Sequence, residues 1–291
     1  MILLDMNQLT IAAIMAESKG KPVYDENLIR HMILNTIRTL RTRFHNTYGE
    51  IVLCYDNKDA ASWRKTLFPH YKACRKEKQS DFDWKQLYAF LEIVKNELKQ
   101  NFPYAVHSIS ETEADDIIAV LAKSTPLNEK TLIVSNDGDF NQLISDNIHQ
   151  YCPRSKLLKY DPDENGLFFH VISGDPGDGI PNILSPDDCF VSKTRQTPMT
   201  KKKIAEFLEL YFKSSNKEST RSIHAIARKD FDLLQRVERN NRLINFKCIP
   251  ERYCKAILEQ HKAYQTKSRS SILPYLTSHK MSLLIDHATE F

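Results

Sequence analysis

Acidic side chains recur along this chain in clusters set against apolar runs. Glu111-Thr112-Glu113-Ala114-Asp115-Asp116 opens an apolar stretch. Asn136-Asp137-Gly138-Asp139 follows the run Thr131-Leu132-Ile133-Val134-Ser135, and Gly174-Asp175-Pro176-Gly177-Asp178-Gly179 comes last. Earlier, Asp5 closes Ile2-Leu3-Leu4, and Asp56 closes Ile51-Val52-Leu53-Cys54-Tyr55. Carboxylates brought together repel, so a fold that converges them normally holds a cation, and hard oxygen donors suit Mg²⁺ or Mn²⁺. Two such ions can activate water and stabilise the leaving oxygen of a phosphodiester without a side-chain nucleophile. No Ser–His–Asp set and no phosphate-cradling Gly-rich loop is present, which disfavours ATP hydrolysis. Taken singly, each acid has a plainer reading. A lone Asp after a strand is usually a turn residue, and Glu111 and Glu113 sit where a helix dipole favours acids. The Gly174–Gly179 stretch alone reads as a turn. The joint occurrence at several strand ends favours the metal reading.

The elements that must position these acids follow from the hydrophobic pattern. The fully apolar runs at 2–4 and 51–55 read as buried parallel strands. Leu28, Ile29, Met32, Ile33, Ile37 and Leu40 place an amphipathic helix over 26–45 between them, a right-handed βαβ unit. A stripe from Trp84 to Leu98 is a second helix and 104–109 a third strand. Residues 113–123 form a helix, 131–135 a fourth strand, and another helix starts over 141–145. Ligands bind at the carboxyl ends of such strands, so Asp5, Asp56, Asp137 and Asp139 meet at one edge. Glu113 and Asp116 share a helix face beside Asp115. Residues 62–83 lack a clean period and read as a mobile excursion off the sheet. Past Tyr160 helices dominate, over 167–172, 201–212, 228–242 and 250–264, with a polar loop at 213–220. The expected architecture is α/β, a mostly parallel sheet with helices on both faces over 1–160. A helical region follows over 161–291, with a helix-turn-helix-like duplex-binding motif at 166–212.

The chain has 291 residues, 41% hydrophobic and 27% charged, and a net charge of +4. That suffices for one large or two small domains. The charge is uneven: six Lys/Arg against one acid over 63–79, and five with no acid over 191–203. Basic patches beside an acidic pocket fit a polyanion gripped at its phosphates, although most charge runs are solvated faces. The six cysteines form no CxxC pair, so a zinc site is not expected. Thiols without such pairing, no basic leader and no membrane-length apolar run point to the cytoplasm.

The order Asp5, Asp56, Glu113-Ala114-Asp115-Asp116, Asn136-Asp137-Gly138-Asp139-Phe140 and Gly174-Asp175-Pro176-Gly177-Asp178 resembles the acidic motifs of the flap endonuclease, or 5′-nuclease, family. His31-Met32-Ile33-Leu34-Asn35, Ile51–Asn57 and the terminal Glu290-Phe291 resemble its bacteriophage branch. The resemblance is densest to about residue 185. It implies two Mg²⁺ ions, with Mn²⁺ as a substitute: Asp5, Asp56, Asp115, Asp116 and Asp137 on the first, Glu113, Asp139, Asp175 and Asp178 on the second. Asp137 and Asp139 would also be catalytic. Tyr71-Lys72-Ala73-Cys74-Arg75 matches the family's helical arch, here the basic segment 62–83. Lys72 and Arg75 would meet the scissile phosphate and Tyr71 would stack on a base, its basic flanks arguing against burial. Arg64 and Lys76 would join them on nucleic acid, as would Lys201, Lys202 and Lys203. The last three stand where the family carries a second glycine-bearing turn, so a K⁺ site there lacks its usual glycines.

The implied activity is Mg²⁺-dependent 5′→3′ cleavage of RNA–DNA hybrids and of nicked, gapped or 5′-flap duplex DNA, for RNA primer removal in lagging-strand replication. The implied protein is a monomer in the cytoplasm of its (host) cell, alongside replication-fork proteins such as a single-strand DNA-binding protein, with no membrane. Two alternatives are a PIN-type RNA endonuclease, which the basic arch disfavours, and a catalytically silent DNA-structure-binding protein, which the intact acid set disfavours.

Overall fold

The computed structural model describes residues 1–18, 25–78, 83–213 and 230–291. Six strands form one sheet in the order β3-β2-β1-β4-β5-β6. They are β1 (Ile2–Asp5), β2 (Ile51–Cys54), β3 (Ala105–His107), β4 (Thr131–Val134), β5 (Ile148–Cys152) and β6 (Leu157–Lys159). The first five run parallel, and β6 lies antiparallel on β5. Strands β1, β2 and β4 are buried at every position, which is why they read as unbroken apolar runs. The sheet builds outward from β1 in both directions, so its topological switch point lies between β1 and β4, where ligands bind in open α/β sheets.

Two compact units divide the chain. One comprises residues 1–60, 80–162 and 251–291; the other comprises 61–79 and 163–250. The division expected near residue 160 is therefore not a single cut. In the sheet unit, α1 (Met6–Ser18) follows β1 directly and α2 (Glu26–Tyr48) connects to β2. Asp25 caps α2 by accepting the Asn27 and Leu28 amides at 2.7 and 3.1 Å. The C-terminal segment returns to this unit for a physical reason. Ile272, Leu276, Leu284 and Phe291 are buried in the same apolar cluster as Ile33, Ile37, Leu98 and Phe102. The Phe291 ring meets Phe102 edge-on at 5.4 Å.

The second unit holds α3 (Ser62–Leu67), a 3₁₀ turn (Ala73–Lys78), and three longer helices described below. Residues 62–83, without a clean period in the sequence but matched to the family's basic helical arch, contain this helix and 3₁₀ turn, and 79–82 lie outside the described residues. So does most of the loop expected over 213–220. In the sheet unit α4 (Trp84–Asn101) and α5 (Ala114–Ser124) match the expected helices. The second unit's α6 (Gly166–Ser173), α7 (Lys201–Lys213) and α8 (Phe231–Ile244) also match. So does α9 (Glu251–Ala263) of the sheet unit, which is followed by α10 (Ile272–Ser278) and α11 (Ser282–Ile285). The helix expected to start over 141–145 is instead a 3₁₀ turn, Gly138–Leu143, and strand β5 follows.

Strand β3 is pinned to α9 by two imidazoles. His107 Nε2 lies 2.9 Å from His261 Nδ1, and His107 Nδ1 lies 3.1 Å from Gln260 Oε1. An amide oxygen accepts, so His107 carries its proton on Nδ1 and accepts from His261. A further proton would set two N–H groups against each other. Burial, and then the neighbouring His261, pushes His107 down to about 4; burial also lowers His261. The unfolded chain then takes up protons first, so this pair's contribution is complete above about pH 6.5 and is lost as pH falls toward 4. We expect His261→Gln, whose amide keeps a hydrogen bond to His107, to lose less stability than the parent between pH 7 and pH 4.5. Thermal melts of both chains at matched pH measure the difference, and parallel curves would remove the pair from the acid response.

Candidate active site

The carboxyl edge of β1, β2 and β4 gathers the first acids. Asp5 ends β1 and is buried, 4% exposed. Its Oδ1 accepts the Gln8 amide at the start of α1 at 3.1 Å, in the manner of a helix cap. Its Oδ2 accepts from Ser135 Oγ at 3.0 Å, across the switch point to the end of β4. Burial pushes the Asp5 carboxyl up to about 7, against the Gln8 amide and Ser135 hydroxyl that hold it down, and Asp56 and Asp137 add to the rise by repulsion. Asp5, Asp56 and Asp137 therefore share one electrostatic neighbourhood.

Asp56, two residues beyond β2, is held from both sides. Asn7 Nδ2 donates to its Oδ2 at 3.1 Å, and the Ala114 amide at the head of α5 donates to its Oδ1 at 2.8 Å. That second bond ties Asp56 to the Glu113–Asp116 cluster. Within the cluster Asp116 accepts the Glu113 amide at 3.1 Å, as the third residue of a capping box does. Glu113 and Asp116 are buried and Asp115 is half-buried. Past β4, Asp137 Oδ1 accepts the Asp139 amide at 3.0 Å, and both residues are half-buried.

The second unit carries Asp175 and Asp178. Gly174 has φ +69°, and a Cβ there would meet the Ile180 carbonyl oxygen at 2.4 Å, so the turn requires glycine. Asp175 Oδ1 accepts the Gly177 and Asp178 amides at 2.7 and 3.2 Å. Burial alone would raise Asp175, but His170 and these two amides hold it below the usual carboxylate range. Asp178 accepts from Tyr71 Oη at 2.7 Å, and pairs with Lys72 at 3.5 Å and with Arg75 at 2.5 Å. Lys201, Lys202 and Lys203 are exposed at the head of α7.

A family model for the 5'-3' exonuclease N-terminal resolvase-like domain matches residues 1–167, and one for the T4 RNase H C-terminal region matches 161–291. The chain belongs to the 5'-3' exonuclease family. Ribonuclease H of Enterobacteria phage T4 is 28% identical over 99% of this chain and 95% of that protein. Flap endonuclease Xni of Shewanella loihica is 29% identical over 77% of this chain and 88% of its own. The fold is shared with the bacteriophage T5 D15 flap endonuclease, solved as a pseudo-enzyme–product complex with DNA and metal ions. That match has a TM-score of 0.60 and 18% identity, over 90% of this chain and 98% of that one. The T5 5'-exonuclease has also been solved with zinc bound, at TM-score 0.56 and 18% identity, over 89% of this chain and 98% of that one.

Two residues of this nuclease depart from the sequence expectation. Tyr71, expected to offer its ring to a base, is buried at 3% exposure. It packs with Phe68, Val171, Ile180 and Leu243, and its hydroxyl is spent on Asp178. Arg64, expected on nucleic acid, is also buried at 3% exposure. Its Nε donates to the Leu243 carbonyl oxygen at 3.1 Å, near the end of α8, and its guanidinium lies 4.3 Å from the Trp63 ring. A cation at the last carbonyls of a helix suits the dipole. Lys76 falls in the 3₁₀ turn, and its side chain lies outside the described residues.

Four residues that the sequence reading passed over position the acids. Asn7 exchanges hydrogen bonds with Asp56, its Oδ1 accepting the Asp56 amide at 3.2 Å. Gln8 Oε1 accepts the Asn136 amide at 2.5 Å. Ser135 joins Asp5 to the Asp137 amide, which donates to its Oγ at 3.1 Å. Gln150, fully buried on β5, donates to the carbonyl oxygens of Ser135 and Asp137 at 3.0 and 2.6 Å. The available signal was polar residues inside apolar runs: Asn7-Gln8 directly after Asp5, and Gln150 within Ile148–Cys152.

The raised Asp5 carboxyl has a measurable sign. The folded chain holds this proton more tightly than the unfolded one, so in the metal-free nuclease Asp5 costs stability as pH rises from about 4 through about 7. Asp5→Asn keeps an oxygen for the Gln8 amide, turns an amide N–H toward the Ser135 hydroxyl oxygen, and removes the charge. We expect the metal-free variant to melt above the parent at pH 8, by about 2–4 °C for each kcal/mol recovered, and the gap to close at pH 4.5. Calorimetry in EDTA checks this; a variant less stable at pH 8 would contradict it.

Proposed function

We propose that this family member is a Mg²⁺-dependent 5′→3′ nuclease acting on RNA–DNA hybrids and on nicked, gapped or 5′-flap duplex DNA. Its proposed task is removing RNA primers from lagging-strand fragments. The observation that carries the reading is the convergence of Asp5, Asp56 and Asp137 at the switch point, with Asp5 buried and its carboxyl raised in part by the other two. A donor set made only of carboxylate oxygens fits a hard divalent cation. Asp5, Asp56, Asp115, Asp116 and Asp137 would hold one Mg²⁺, Glu113, Asp139, Asp175 and Asp178 a second, with Mn²⁺ as the substitute. Bound there, the ions would neutralise phosphate charge and lower the pKa of water for phosphodiester hydrolysis.

The chain's own side chains do the rest. Asn7, Gln8, Ser135 and Gln150 fix the carboxylates in place, as outer partners of metal ligands do. Asp175 and Asp178 enter this reading differently from the first acids. Asp175 closes its turn through Oδ1 alone, and Asp178 also pairs with Lys72 and Arg75. A substrate phosphate would take the place of Asp178 between those two cations. Lys201, Lys202 and Lys203 oppose the helix dipole at the head of α7, a cost that a duplex phosphate backbone would offset. The proposed setting is the cytoplasm, that of the host cell for a phage-encoded chain, as a monomer working beside replication-fork proteins such as a single-strand DNA-binding protein. Among the described residues, no helix is long and apolar enough to cross a membrane.

The test is cleavage of a 5′-labelled RNA primer annealed to DNA, and of a 5′-flap duplex, each with Mg²⁺ or EDTA. Mg²⁺-dependent release of short 5′ products from both is expected; tight binding without cleavage would move the function to structure recognition. Asp139→Asn should keep duplex binding and lose cleavage by on the order of 100-fold or more, since the ions supply several kcal/mol; unchanged turnover would remove Asp139 from the site. Lys72→Ala should slow single-turnover cleavage more than it weakens binding, and a pure affinity loss would place Lys72 away from the reacting phosphate.

A further inference from the structure

The turn that leads into α5 contains a residue in a costly conformation. Glu111 has φ +63°, in the left-handed region that a side chain with a Cβ rarely adopts. The turn it belongs to is tightly bonded. The Thr112 amide and hydroxyl donate to the Ile109 carbonyl oxygen at 3.2 and 2.9 Å. The Thr112 carbonyl oxygen accepts the Asn57 amide at 3.3 Å. Two residues on, the Ala114 amide reaches Asp56. The direction in which the chain leaves Glu111 therefore sets the head of α5, the Glu113–Asp116 cluster, and the Ala114 bond to Asp56.

The Glu111 side chain is held from the far end of the sequence. Tyr253, in the first turn of α9 and 5% exposed, donates its hydroxyl to Glu111 Oε2 at 2.6 Å. Arg252 lies 3.5 Å from the same oxygen. Helix α9 packs along α5, so the tether comes from an element already fixed against the one it steadies. The Arg252 pair is largely exposed and contributes little in water. The Tyr253 hydroxyl is the short, sheltered contact.

We propose that Tyr253 is a positioning residue for the acidic edge: through Glu111 it holds the turn that sets Glu113, Asp115, Asp116 and Asp56 for a divalent cation. The inference rests on the metal-site reading above. It adds that the C-terminal segment, more than 130 residues beyond Asp116, tunes that site without touching the ion. The chemistry of the turn supplies a discriminating variant. Alanine at 111 removes the tether and keeps the conformational cost. Glycine removes the tether and most of the cost, because it adopts positive φ freely.

The experiment measures Mn²⁺ binding to the full chain without substrate, by loss of the free-ion electron paramagnetic resonance signal, with a thermal melt of each chain in EDTA. Tyr253→Phe keeps the ring and loses the hydroxyl. We expect Tyr253→Phe and Glu111→Ala to weaken Mn²⁺ binding about tenfold, the lower end of the cost of losing an outer partner at a metal site. Glu111→Gly should stay near the parent, and Glu111→Gly should restore binding in the Tyr253→Phe background. The Mg²⁺ concentration for half-maximal cleavage should shift in parallel. Variants that melt lower but bind Mn²⁺ like the parent would make Tyr253 merely structural and overturn the inference. Equal loss in the alanine and glycine variants would overturn the strain argument. A parent chain that binds no Mn²⁺ would overturn the metal-site reading itself.

Discussion

Repulsion among Asp5, Asp56 and Asp137 is the constraint around which the sheet unit is built. A parallel sheet that builds outward from β1 delivers the ends of β1, β2 and β4 to one edge, and acids stand at or just past each of them. One of these, Asp5, is nearly inaccessible to water, where a like charge is felt far more than at a surface. The fold offsets this with directed polar groups. Gln8 and Ser135 hold Asp5, Asn7 and Ala114 hold Asp56, and Gln150 holds the backbone on either side of Asn136. These bonds orient oxygen atoms with neutral donors, an arrangement that supports the divalent-cation reading proposed above.

The acids themselves were legible in the sequence because each follows an apolar run short enough to be a buried strand. Strand β5 was not legible, since it reads Ile148-His149-Gln150-Tyr151-Cys152, with polar residues where a buried strand normally has none. The structure gives the reason: His149 meets the Tyr48 hydroxyl at 2.8 Å, and Gln150 is committed to the Ser135 and Asp137 carbonyl oxygens. Helix α1 escaped notice because it begins the residue after a strand, with Asp5 serving as both strand end and cap. Local pattern has no means of assigning one residue to two elements.

Burial of Tyr71 and Arg64 was illegible for another reason. Sequence places both in a basic stretch, and basic stretches usually face solvent. Here residues 61–79 cluster with 163–250, so Tyr71 meets Val171, Ile180 and Leu243, partners about a hundred residues or more away. Arg64 lies at the end of α8 for the same reason. The return of 251–291 to the sheet unit is equally non-local. Aromatic and aliphatic residues such as Tyr275 and Phe291 complete a cluster begun by α2 and α4.

Asp175 and Asp178 show why a motif of acids does not by itself define what the acids do. In the sequence they follow Asp137 and Asp139 in the same acidic series. In the fold their surroundings differ: Asp175 closes its own turn by accepting two amides, and Asp178 faces Lys72, Arg75 and the Tyr71 hydroxyl. The two cations beside Asp178 are of the kind that a phosphate, with its several oxygens, also accepts from. Asp5 is in the opposite state, with its negative charge disfavoured by burial and by its neighbours. The same residue type thus stands in opposite electrostatic surroundings, beside other acids at the sheet edge and beside Lys72 and Arg75 in the second unit.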